Sequence, residues 1–261
     1  MSTDIMDIKW ARLELLPATP YTINGASSHT SLGLAFARQT GVHAIGNDIR
    51  HDFDAWPGDF AISNAGLPMF SESAHGGEYL LMHITNPDLL ADMHASSPRQ
   101  VFHGDKQAVM LAWQLRSLLL QKDKDALLLQ EKAGLLLQRG LVLSTSTTAC
   151  SQYTQDKVLH ARILDHIEDH LDTTLNLEDL ANMADMPLLR FLRSFAHATG
   201  TTPHAYITER RLQRARLIIK NSTLSIADIA ADCGFAHQSH MGSAFKSRLG
   251  LSPQQYRRLP A

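Results

Sequence analysis

Residues 177–206 read LEDLANMADMPLLRFLRSFAHATGTTPHAY, and residues 226–256 repeat the pattern as IADIAADCGFAHQSHMGSAFKSRLGLSPQQY. The apolar residues that open the two copies, Leu177 and Ile226, lie 49 positions apart. The tyrosines that close them, Tyr206 and Tyr256, lie 50 positions apart. A repeat with a nearly constant period indicates a duplicated structural unit. The C-terminal third of the chain is therefore predicted to contain the same small fold twice.

Each copy is predicted to be a helix, a tight turn, a second helix and a restart. In the first copy the helical pattern of Leu177–Ala184 breaks at Asp185-Met186-Pro187. The next helical segment ends at Gly200, a residue suited to the left-handed conformation that closes helices. Thr202-Pro203 then has the signature of an N-cap followed by proline in the first turn. The second copy carries the corresponding signals at Ile226–Cys233, Gly234, Gly250 and Ser252-Pro253.

Charge distinguishes these helix pairs from an ordinary packing unit. From Met186 to the last residue there are eleven lysines and arginines and three acidic residues, an excess of eight positive charges. The whole chain has a formal net charge of −2, so the residues before Met186 sum to −10. Basic residues concentrated on paired helices are typical of proteins that bind duplex DNA.

These motifs resemble the DNA-binding domain of the AraC/XylS family of bacterial transcription regulators. The resemblance covers about Asp156 to Arg258, and its motifs follow the family's order: Asn176-Leu-Glu-Asp-Leu-Ala181, Phe191-Leu-Arg-Ser-Phe195, Gly200-Thr-Thr-Pro-His-Ala-Tyr206, Arg211-Leu-Gln-Arg-Ala-Arg216, Ile226-Ala-Asp-Ile-Ala230, Gly234-Phe235, Phe245-Lys246 and Gly250-Leu-Ser-Pro-Gln-Gln-Tyr-Arg257. It implies an all-α domain in which a long helix joins two helix-turn-helix motifs. It also implies a sequence-specific transcription regulator, an activator, with double-stranded DNA and RNA polymerase as partners.

The second helix of each pair is implied to enter the major groove and read base edges. The family pattern puts Leu189, Leu192 and Arg193 on the reading face of the first copy. In the second copy the reading positions hold Gln238, Ser239, Gly242 and Ser243. Contacts with the DNA backbone are implied for Arg190, His240, Lys246 and Arg248. Many family members carry an arginine where Ser243 stands, so the second copy is expected to position the protein more than it specifies sequence.

A long helix, Pro203 to Lys220, is predicted between the copies and would hold the two reading helices apart. At a separation of about 34 Å both would enter successive major grooves on one side of a duplex. The helix carries Arg210, Arg211, Arg214 and Arg216, for which phosphate, solvent and Glu209 all remain open as partners. If about six to eight phosphates are neutralised, log affinity should fall with log salt at a slope of about −5 to −7.

Size and composition predict two domains. With 261 residues, 44% of them hydrophobic, the chain is long enough to fill two cores. Met1 to Trp10 contains acids and no apolar run, and no segment approaches the length of a membrane span. Neither a signal peptide nor membrane association is therefore expected. The two cysteines, Cys150 and Cys233, fit a reduced, cytoplasmic protein without a disulfide framework.

The N-terminal part is predicted to consist of short strands separated by turns. The candidate strands are Trp10–Leu16, Leu32–Arg38, Val42–Ile45, Ile49–Phe53, Phe60–Ser63 and Tyr79–Ile84. The turn signals between them include Asn24-Gly25, Asn47-Asp48 and Pro57-Gly58-Asp59. Strands at such spacing indicate a sandwich or small barrel, so the predicted fold class is α+β with two domains. The third of these turns, before an apolar strand, resembles the cupin-type jelly roll found ahead of the DNA-binding domain in many family members.

Seven histidines before the DNA-binding region raise the question of a metal enzyme. Metal-binding cupins present a His-x-His pair, and none occurs in this region. Leu67-Pro68-Met69 follows Gly66, where a further ligand histidine would be expected. No metal, cofactor or catalytic residue is therefore predicted, and the chain is not expected to be an enzyme. The alternative, a metal-dependent cupin enzyme fused to a DNA-binding domain, would require stoichiometric zinc or iron.

A closed barrel without catalytic residues can hold one small molecule, so the N-terminal domain is predicted to sense an effector. Phe36, Phe53, Trp56 and Phe70 are candidates for the lining of its pocket. Aromatic residues at these spacings also form ordinary cores, so the effector contacts are left unassigned. Control by a regulatory protein instead of a small molecule is the alternative.

Two leucine-rich helical segments follow the strands. They are Asp105–Gln121 and Ala126–Arg139, the second with an interruption at Gly134. The leucines exceed what one barrel face requires, which together with the family resemblance favours a homodimer; packing within the subunit is the alternative. Residues 143–155 show no period and little charge, which is typical of a linker. The predicted division is therefore a sensor and dimerisation domain at 1–142, a linker at 143–155 and a DNA-binding domain at 156–261.

Overall fold

The computed structural model describes residues 4–91, 97–145 and 154–259. The chain divides into two compact units, Met1–Ala149 and Cys150–Ala261. The first is rich in strands and the second is helical, so the predicted α+β class is confirmed. Within the described ranges, no helix is both long and apolar enough to cross a membrane.

The described part of the first unit contains ten strands and two α-helices, with a 3-10 turn at Pro87–Leu90. The strands are β1 (Asp4–Ile8), β2 (Ala11–Leu16), β3 (Tyr21–Ala26), β4 (Ser31–Ala35), β5 (Gln39–Ile45), β6 (His51–Ala55), β7 (Phe60–Ser63), β8 (Pro68–Ser73), β9 (Tyr79–Ile84) and β10 (Arg99–Phe102). The helices are α1 (Lys106–Leu119) and α2 (Ala126–Thr145).

The strands form two antiparallel sheets. The six-stranded sheet has the order β1-β2-β9-β4-β7-β10, and the four-stranded sheet has the order β3-β8-β5-β6. Helix α2 packs closely on one face of the larger sheet, because a Cβ at Gly140 would lie 2.9 Å from Leu32 Cδ2 and 3.2 Å from Ile62 Cδ1. Side chains alternate between the faces of a strand, so this face collects the apolar residues of the central strands. They are Leu32, Leu34, Phe60, Ile62, Leu80 and Met82, all buried.

All six predicted strands overlap observed ones, and two of them, Phe60–Ser63 and Tyr79–Ile84, have the predicted bounds. Strands β1, β3, β8 and β10 were not predicted. The Asn24-Gly25 turn prediction is wrong, since both residues lie within β3 and pair with Phe70 and Met69 of β8. Most of β3 is exposed, so it lacks the alternation of apolar and polar residues that marks a strand. The cupin-type topology remains a prediction.

Helices α1 and α2 pack against each other and share an ion pair. Asp105 caps α1 by accepting a hydrogen bond from the Ala108 amide at 2.8 Å, and it also accepts from Arg139 of α2. Burial alone would raise the pKa of the Asp105 carboxyl, but hydrogen bonds from Arg139 and the α1 amides hold it below its ordinary value. The predicted interruption at Gly134 is wrong, because α2 continues through it to Thr145.

The ends of the predicted linker are helical. Helix α2 includes Leu143, Ser144 and Thr145, and the next helix begins at Thr154. The Ser144 and Thr145 hydroxyls donate to the carbonyls of Leu141 and Val142, which lets polar residues occupy a last helical turn. Residues 146–153 of the predicted linker lie outside the described residues.

The second unit is built from helices around a central long one. They are α3 (Thr154–Asp169), α4 (Leu177–Met183), α5 (Leu188–Thr199), α6 (Pro203–Asn221), α7 (Ile226–Asp232), α8 (Gln238–Leu249) and α9 (Pro253–Arg258). Helix α6 packs against α5, α7, α8 and α9, while α3 and α4 pack against α5. On α3 the residues Ile163, Leu164 and Ile167 are buried in the core, and Leu159 is half-buried.

Candidate nucleic-acid interface

Two short helix pairs, α4 with α5 and α7 with α8, each contain a sharp turn. In the first turn Asp185 has φ of 50°, and in the second Gly234 has φ of 74°. A Cβ at Gly234 would lie 2.1 Å from the carbonyl oxygen of Leu171, so a larger residue would be excluded there by contact as well as by conformation. The two turns therefore reach similar geometry through different residues.

The second helix of each pair begins without a side-chain cap. Neither Pro187 before α5 nor His237 before α8 accepts a hydrogen bond from its helix. Capping side chains do precede the other helices of this unit for which the N-cap is described. They are Asn176 for α4, Thr202 for α6, Ser225 for α7 and Ser252 for α9. Uncapped first-turn amides, with the positive end of the helix dipole, are suited to bind an anion such as a phosphate.

Helix α5 carries its predicted base-reading residues on one face and its core residues on the opposite face. Phe191 and Phe195 are fully buried, whereas Arg190 and Arg193 are exposed and the Leu189 side chain is 71% exposed. Leu192 is half-buried at the edge of this face. Residues three and four positions apart share a helix face, so the predicted readers of the first copy lie side by side. Arg193 Nε donates to the Leu189 carbonyl of the same helix at 3.3 Å.

The buried face of α5, opposite the predicted base-reading residues, is fixed by contacts with α3 and α6. His160 of α3 is buried, and its Nε2 lies 2.8 Å from the Ser194 hydroxyl of α5. The same imidazole meets the Phe195 ring edge to face at 5.8 Å. Phe195 also packs on Tyr206 of α6, with ring centroids 5.9 Å apart. The exposed face of α5 therefore rests on a rigid aromatic cluster, a role for His160 that the sequence did not reveal.

Helix α8 has a polar outward face. Gln238, Ser239, Ser243 and Lys246 are exposed, while Gly242 and Arg248 are half-buried. Met241 and Phe245 are fully buried on the opposite side. His240 is exposed, and its ring packs edge to face on Phe235 at 5.4 Å. The predicted base-reading residues of the second copy thus also lie on one face. The His240 ring contacts Phe235, which lies in the turn before α8.

Three of the four arginines of α6 make contacts within the unit. Arg210 binds the Glu168 carboxylate through Nε at 2.6 Å and Nη2 at 2.9 Å, so its carboxylate partner is Glu168. Arg211 donates to the carbonyl of Leu171 at 2.8 Å and to that of Thr173. Arg216 lies over the ring of Tyr256, with its guanidinium carbon 5.5 Å from the ring centroid. Of the four arginines predicted to face phosphate, solvent or Glu209, only Arg214 is exposed.

The charge available to a polyanion is smaller than the sequence suggests. Eleven basic residues follow Met186, and several neutralise or hydrogen-bond partners within the unit. The exposed ones are Arg190, Arg193, Arg214, Lys246 and Arg258. Since exposed cations can displace counterions from a duplex, about five phosphate contacts are expected in place of six to eight.

The described residues contain no cluster of three or more histidine, cysteine, aspartate or glutamate side chains placed to hold a metal ion. Cys233 is buried at the end of α7, and burial, the largest influence, raises the pKa of its thiol to about 11. A thiol with so high a pKa stays protonated near neutral pH and is a poor nucleophile or metal ligand.

Sequence comparison identifies the same region. A model of the family described as "Helix-turn-helix domain" matches residues 180–259. The transcriptional regulator MtrA of Neisseria gonorrhoeae is 32% identical over 104 residues, which cover 40% of this chain and 34% of MtrA. The transcriptional activator RhaS of Klebsiella pneumoniae is 28% identical over 123 residues, or 47% of this chain and 44% of RhaS. The chain thus spans less than half the length of these curated relatives, which are regulators of transcription and not enzymes.

A solved transcriptional regulator from Chromobacterium violaceum, described with AraC-type DNA-binding domain-containing proteins, is 25% identical to this chain. The match covers 40% of this chain and 96% of that one, with a TM-score of 0.37. The family match at residues 180–259 and the named relatives agree with the motifs and helix order described above. The C-terminal region of this chain is a helix-turn-helix domain of the AraC type.

Proposed function

We propose that the chain is a sequence-specific DNA-binding transcription regulator in which α5 and α8 are the recognition helices of two helix-turn-helix motifs joined by α6. The observation that carries this proposal is the shared design of α5 and α8. Each begins without a side-chain cap, buries an aromatic face and exposes polar or basic residues on the opposite one. A helix of this kind can enter a major groove with its first amides near the phosphate backbone.

The chemistry of α5 supports its role in base selection. Arg193 is exposed, and a guanidinium can pair bidentately with guanine O6 and N7, worth about 1–3 kcal/mol of discrimination. Leu189 and Leu192 have no hydrogen-bonding groups and would contact thymine methyl groups or sugars. Arg190 lies on the same exposed surface and would bind phosphate.

In α8 the Gln238 amide is suited to adenine, and the Ser239 and Ser243 hydroxyls to several bases. The half-buried Gly242 would let the helix approach the groove closely. Lys246, His240 and Arg248 would contact the backbone. Without an arginine among its readers, α8 would position the protein more than it selects sequence.

The first unit is proposed to be a cupin-like sensor that responds to a small molecule, within a division of 1–142, 143–155 and 156–261. Exposed apolar residues on α2 support the proposed homodimer, since the side chains of Leu127, Leu135 and Val142 are 79%, 39% and 49% exposed. Activation through RNA polymerase, in the cytoplasm, completes the proposal.

Salt dependence of DNA binding tests this function. With about five phosphates neutralised, log affinity for a duplex should fall with log salt at a slope of about −4 to −5. Lys246→Ala should weaken binding to all sequences alike and make the slope shallower by about 1, because it removes a phosphate contact without touching a base. The affinity and its salt slope can be measured for the unaltered protein and the variant by fluorescence anisotropy of a labelled duplex, at salt concentrations from about 50 to 300 mM.

Lys122→Ala is the matched control, since Lys122 is an exposed lysine in the loop between α1 and α2. It should leave both affinity and slope unchanged. A slope near zero for the unaltered protein would contradict DNA binding through these helices.

A further inference from the structure

The two sheets of the first unit face each other across polar side chains. Burial and then the charge of Arg99 of β10 lower the pKa of His43 of β5, and Tyr21 of β3 is among the groups that influence the pKa of Tyr79 of β9. In each pair one residue lies on the six-stranded sheet and the other on the four-stranded one. The inner faces therefore meet at these side chains, on the side of the larger sheet away from α2.

Several side chains on the inner faces are less completely buried than those on the helix-covered face. The core residues under α2 are almost completely buried, from 0% to 2% exposed. By contrast, five side chains of the inner faces are only partly buried, namely Tyr21, His43, Tyr79, Leu81 and Arg99, whereas Ser63 beside them is 7% exposed. A folded domain ordinarily fills the space between two sheets with apolar side chains. Partly exposed polar groups in that position leave hydrogen-bonding surface available to a ligand or to solvent.

Arg99, on the edge strand β10, is the arginine that lines this space. Its Nη1 donates to the Ser63 hydroxyl of β7, the register partner of Arg99, at 2.7 Å. Its other hydrogen-bond partner is the hydroxyl of Tyr79. No carboxylate of the described residues lies within 4.0 Å of this guanidinium. A partly buried arginine with only neutral partners favours an anion from outside the chain.

None of the neighbouring titratable groups of the described residues forms a close ion pair with this arginine. Burial, followed by the charges of Arg99 and His51, lowers the pKa of His43, so its imidazole is neutral near pH 7. Burial is also the largest influence on Tyr79 and raises the pKa of its phenol, which remains a donor. Asp59, the nearby carboxylate, is bound by His103 Nδ1 at 2.5 Å and by the Trp56 amide at 2.9 Å.

The position of Tyr79 depends on a glycine. A Cβ at Gly33 of β4 would lie 2.1 Å from the Tyr79 hydroxyl oxygen and 2.4 Å from Cε1, so the ring lies directly over Gly33. This places the hydroxyl beside Arg99. Leu81, two residues along the same strand face, and Phe53, stacked on His43 at 5.2 Å, add half-buried apolar surface to the same space. The space thus combines one cation, several hydroxyls and an apolar wall.

We infer that the space between the sheets binds a small organic acid whose carboxylate is held by Arg99. Further hydrogen bonds would come from the hydroxyls of Ser63, Tyr79 and Tyr21. The apolar body of the acid would contact Leu81 and Phe53. Arginine matches a carboxylate through two parallel N–H donors, which a hydroxylated neutral molecule cannot exploit as well. The inference rests on the proposed sensor function and supplies the chemical class of its effector. Of the four aromatic residues considered for the lining, only Phe53 lies in this space: Phe36 and Trp56 are core, and Phe70 packs under Arg50.

The test measures unfolding of the full chain in the presence of hexanoate or benzoate at constant ionic strength. Hexanamide and benzamide are the matched neutral probes, and inorganic phosphate is the matched small anion. At least one carboxylate should raise the unfolding midpoint in proportion to the logarithm of its concentration, while its amide should not. Arg99→Gln should lower the carboxylate affinity about 10- to 100-fold, as expected for loss of a charge-assisted contact.

Two further variants guard against misfolding and nonspecific effects. Arg99→Lys keeps the charge and should retain a preference for the acid over the amide, with weaker affinity. Arg50→Gln removes an exposed arginine that lies over Phe70 and should change nothing. Equal responses to acid and amide, an unchanged affinity in Arg99→Gln, a stronger response to phosphate than to either acid, or no response to either acid would each overturn the inference. DNA affinity measured on the same samples distinguishes this failure from failure of the proposed DNA-binding function.

Discussion

Replacing Glu78 by alanine is expected to destabilise the first unit by about 3–5 kcal/mol, because it removes the carboxylate partner of a buried cation. Glu78 Oε2 lies 2.7 Å from Arg116 Nη2, and the two side chains are 3% and 0% exposed. The guanidinium carbon also lies 5.4 Å from the Phe36 ring centroid and 5.0 Å from that of Trp113. Water cannot replace the lost carboxylate at so enclosed a position.

Denaturant unfolding followed by tryptophan fluorescence measures this effect in the full chain. Trp10, Trp56 and Trp113 are the three tryptophans, and all lie in the first unit, so the signal reports that unit alone. Glu131→Ala is the matched control, since Glu131 pairs with Lys132 on the surface of α2, and it should cost no more than about 1 kcal/mol.

A double variant, Glu78→Leu with Arg116→Met, should recover most of the lost stability, because apolar residues of similar volume can replace a buried ion pair at little net cost. If Glu78→Ala were no more destabilising than Glu131→Ala, the ion pair would not be buried as described.

Arg193→Ala is expected to abolish preference for one base pair of the binding site, a loss of about 1–3 kcal/mol of discrimination. The reason is geometric: Arg193 is exposed on α5, one turn from Leu189, while the opposite face of the helix is fixed by Phe191 and Phe195. Competition binding with duplexes that differ at single base pairs would locate the position that loses its preference.

Arg190→Ala serves as the control on the same helix. Because Arg190 is proposed to bind phosphate, its loss should weaken all duplexes by a similar factor and leave the ranking of sequences intact. An Arg193→Ala variant that behaved in the same way would show that Arg193 does not read a base.

The C-terminal fold could be predicted because its signals are local. Caps such as Ser225, closing glycines such as Gly200 and Gly250, and the proline at the start of α6 each act within a few residues of chain. Because the unit is duplicated, each of these signals occurs twice in the sequence, which strengthens the prediction. Helix bounds consequently agree with the prediction to within a few residues, as at α6, which was predicted from Pro203 to Lys220 and spans Pro203–Asn221.

The sheet domain was harder to predict because strand pairing is not local. Asn24-Gly25 has the composition of a hairpin turn, but β3 continues through it, since β8, more than forty residues later, supplies its hydrogen-bonding partner. The polar residues of β8 and the exposed face of β3 carry no apolar alternation. For the same reason Arg99 gave no signal in the sequence, where one arginine in a short strand resembles any surface residue.

Long-range ion pairs were the other unpredictable element. The basic stretch after Met186 suggested a large charge for DNA, yet Arg210 is bound by Glu168, 42 residues earlier. Arg211 is likewise held by backbone carbonyls before α4. The number of charged residues can be counted in the sequence, but which of them are exposed depends on contacts made in the fold.

Selection of bound duplexes from a random-sequence pool, using the full chain, tests most directly whether α5 and α8 enter successive major grooves of one duplex. We expect two blocks of preferred base pairs with centres about 10 bp apart, a stronger one under α5 and a weaker one under α8. Arg193→Ala should remove the preference at one base pair of the stronger block, and Gln238→Ala should remove the preference at one base pair of the weaker block. A single block, no enriched sequence, or two variants that alter the same block would contradict this arrangement.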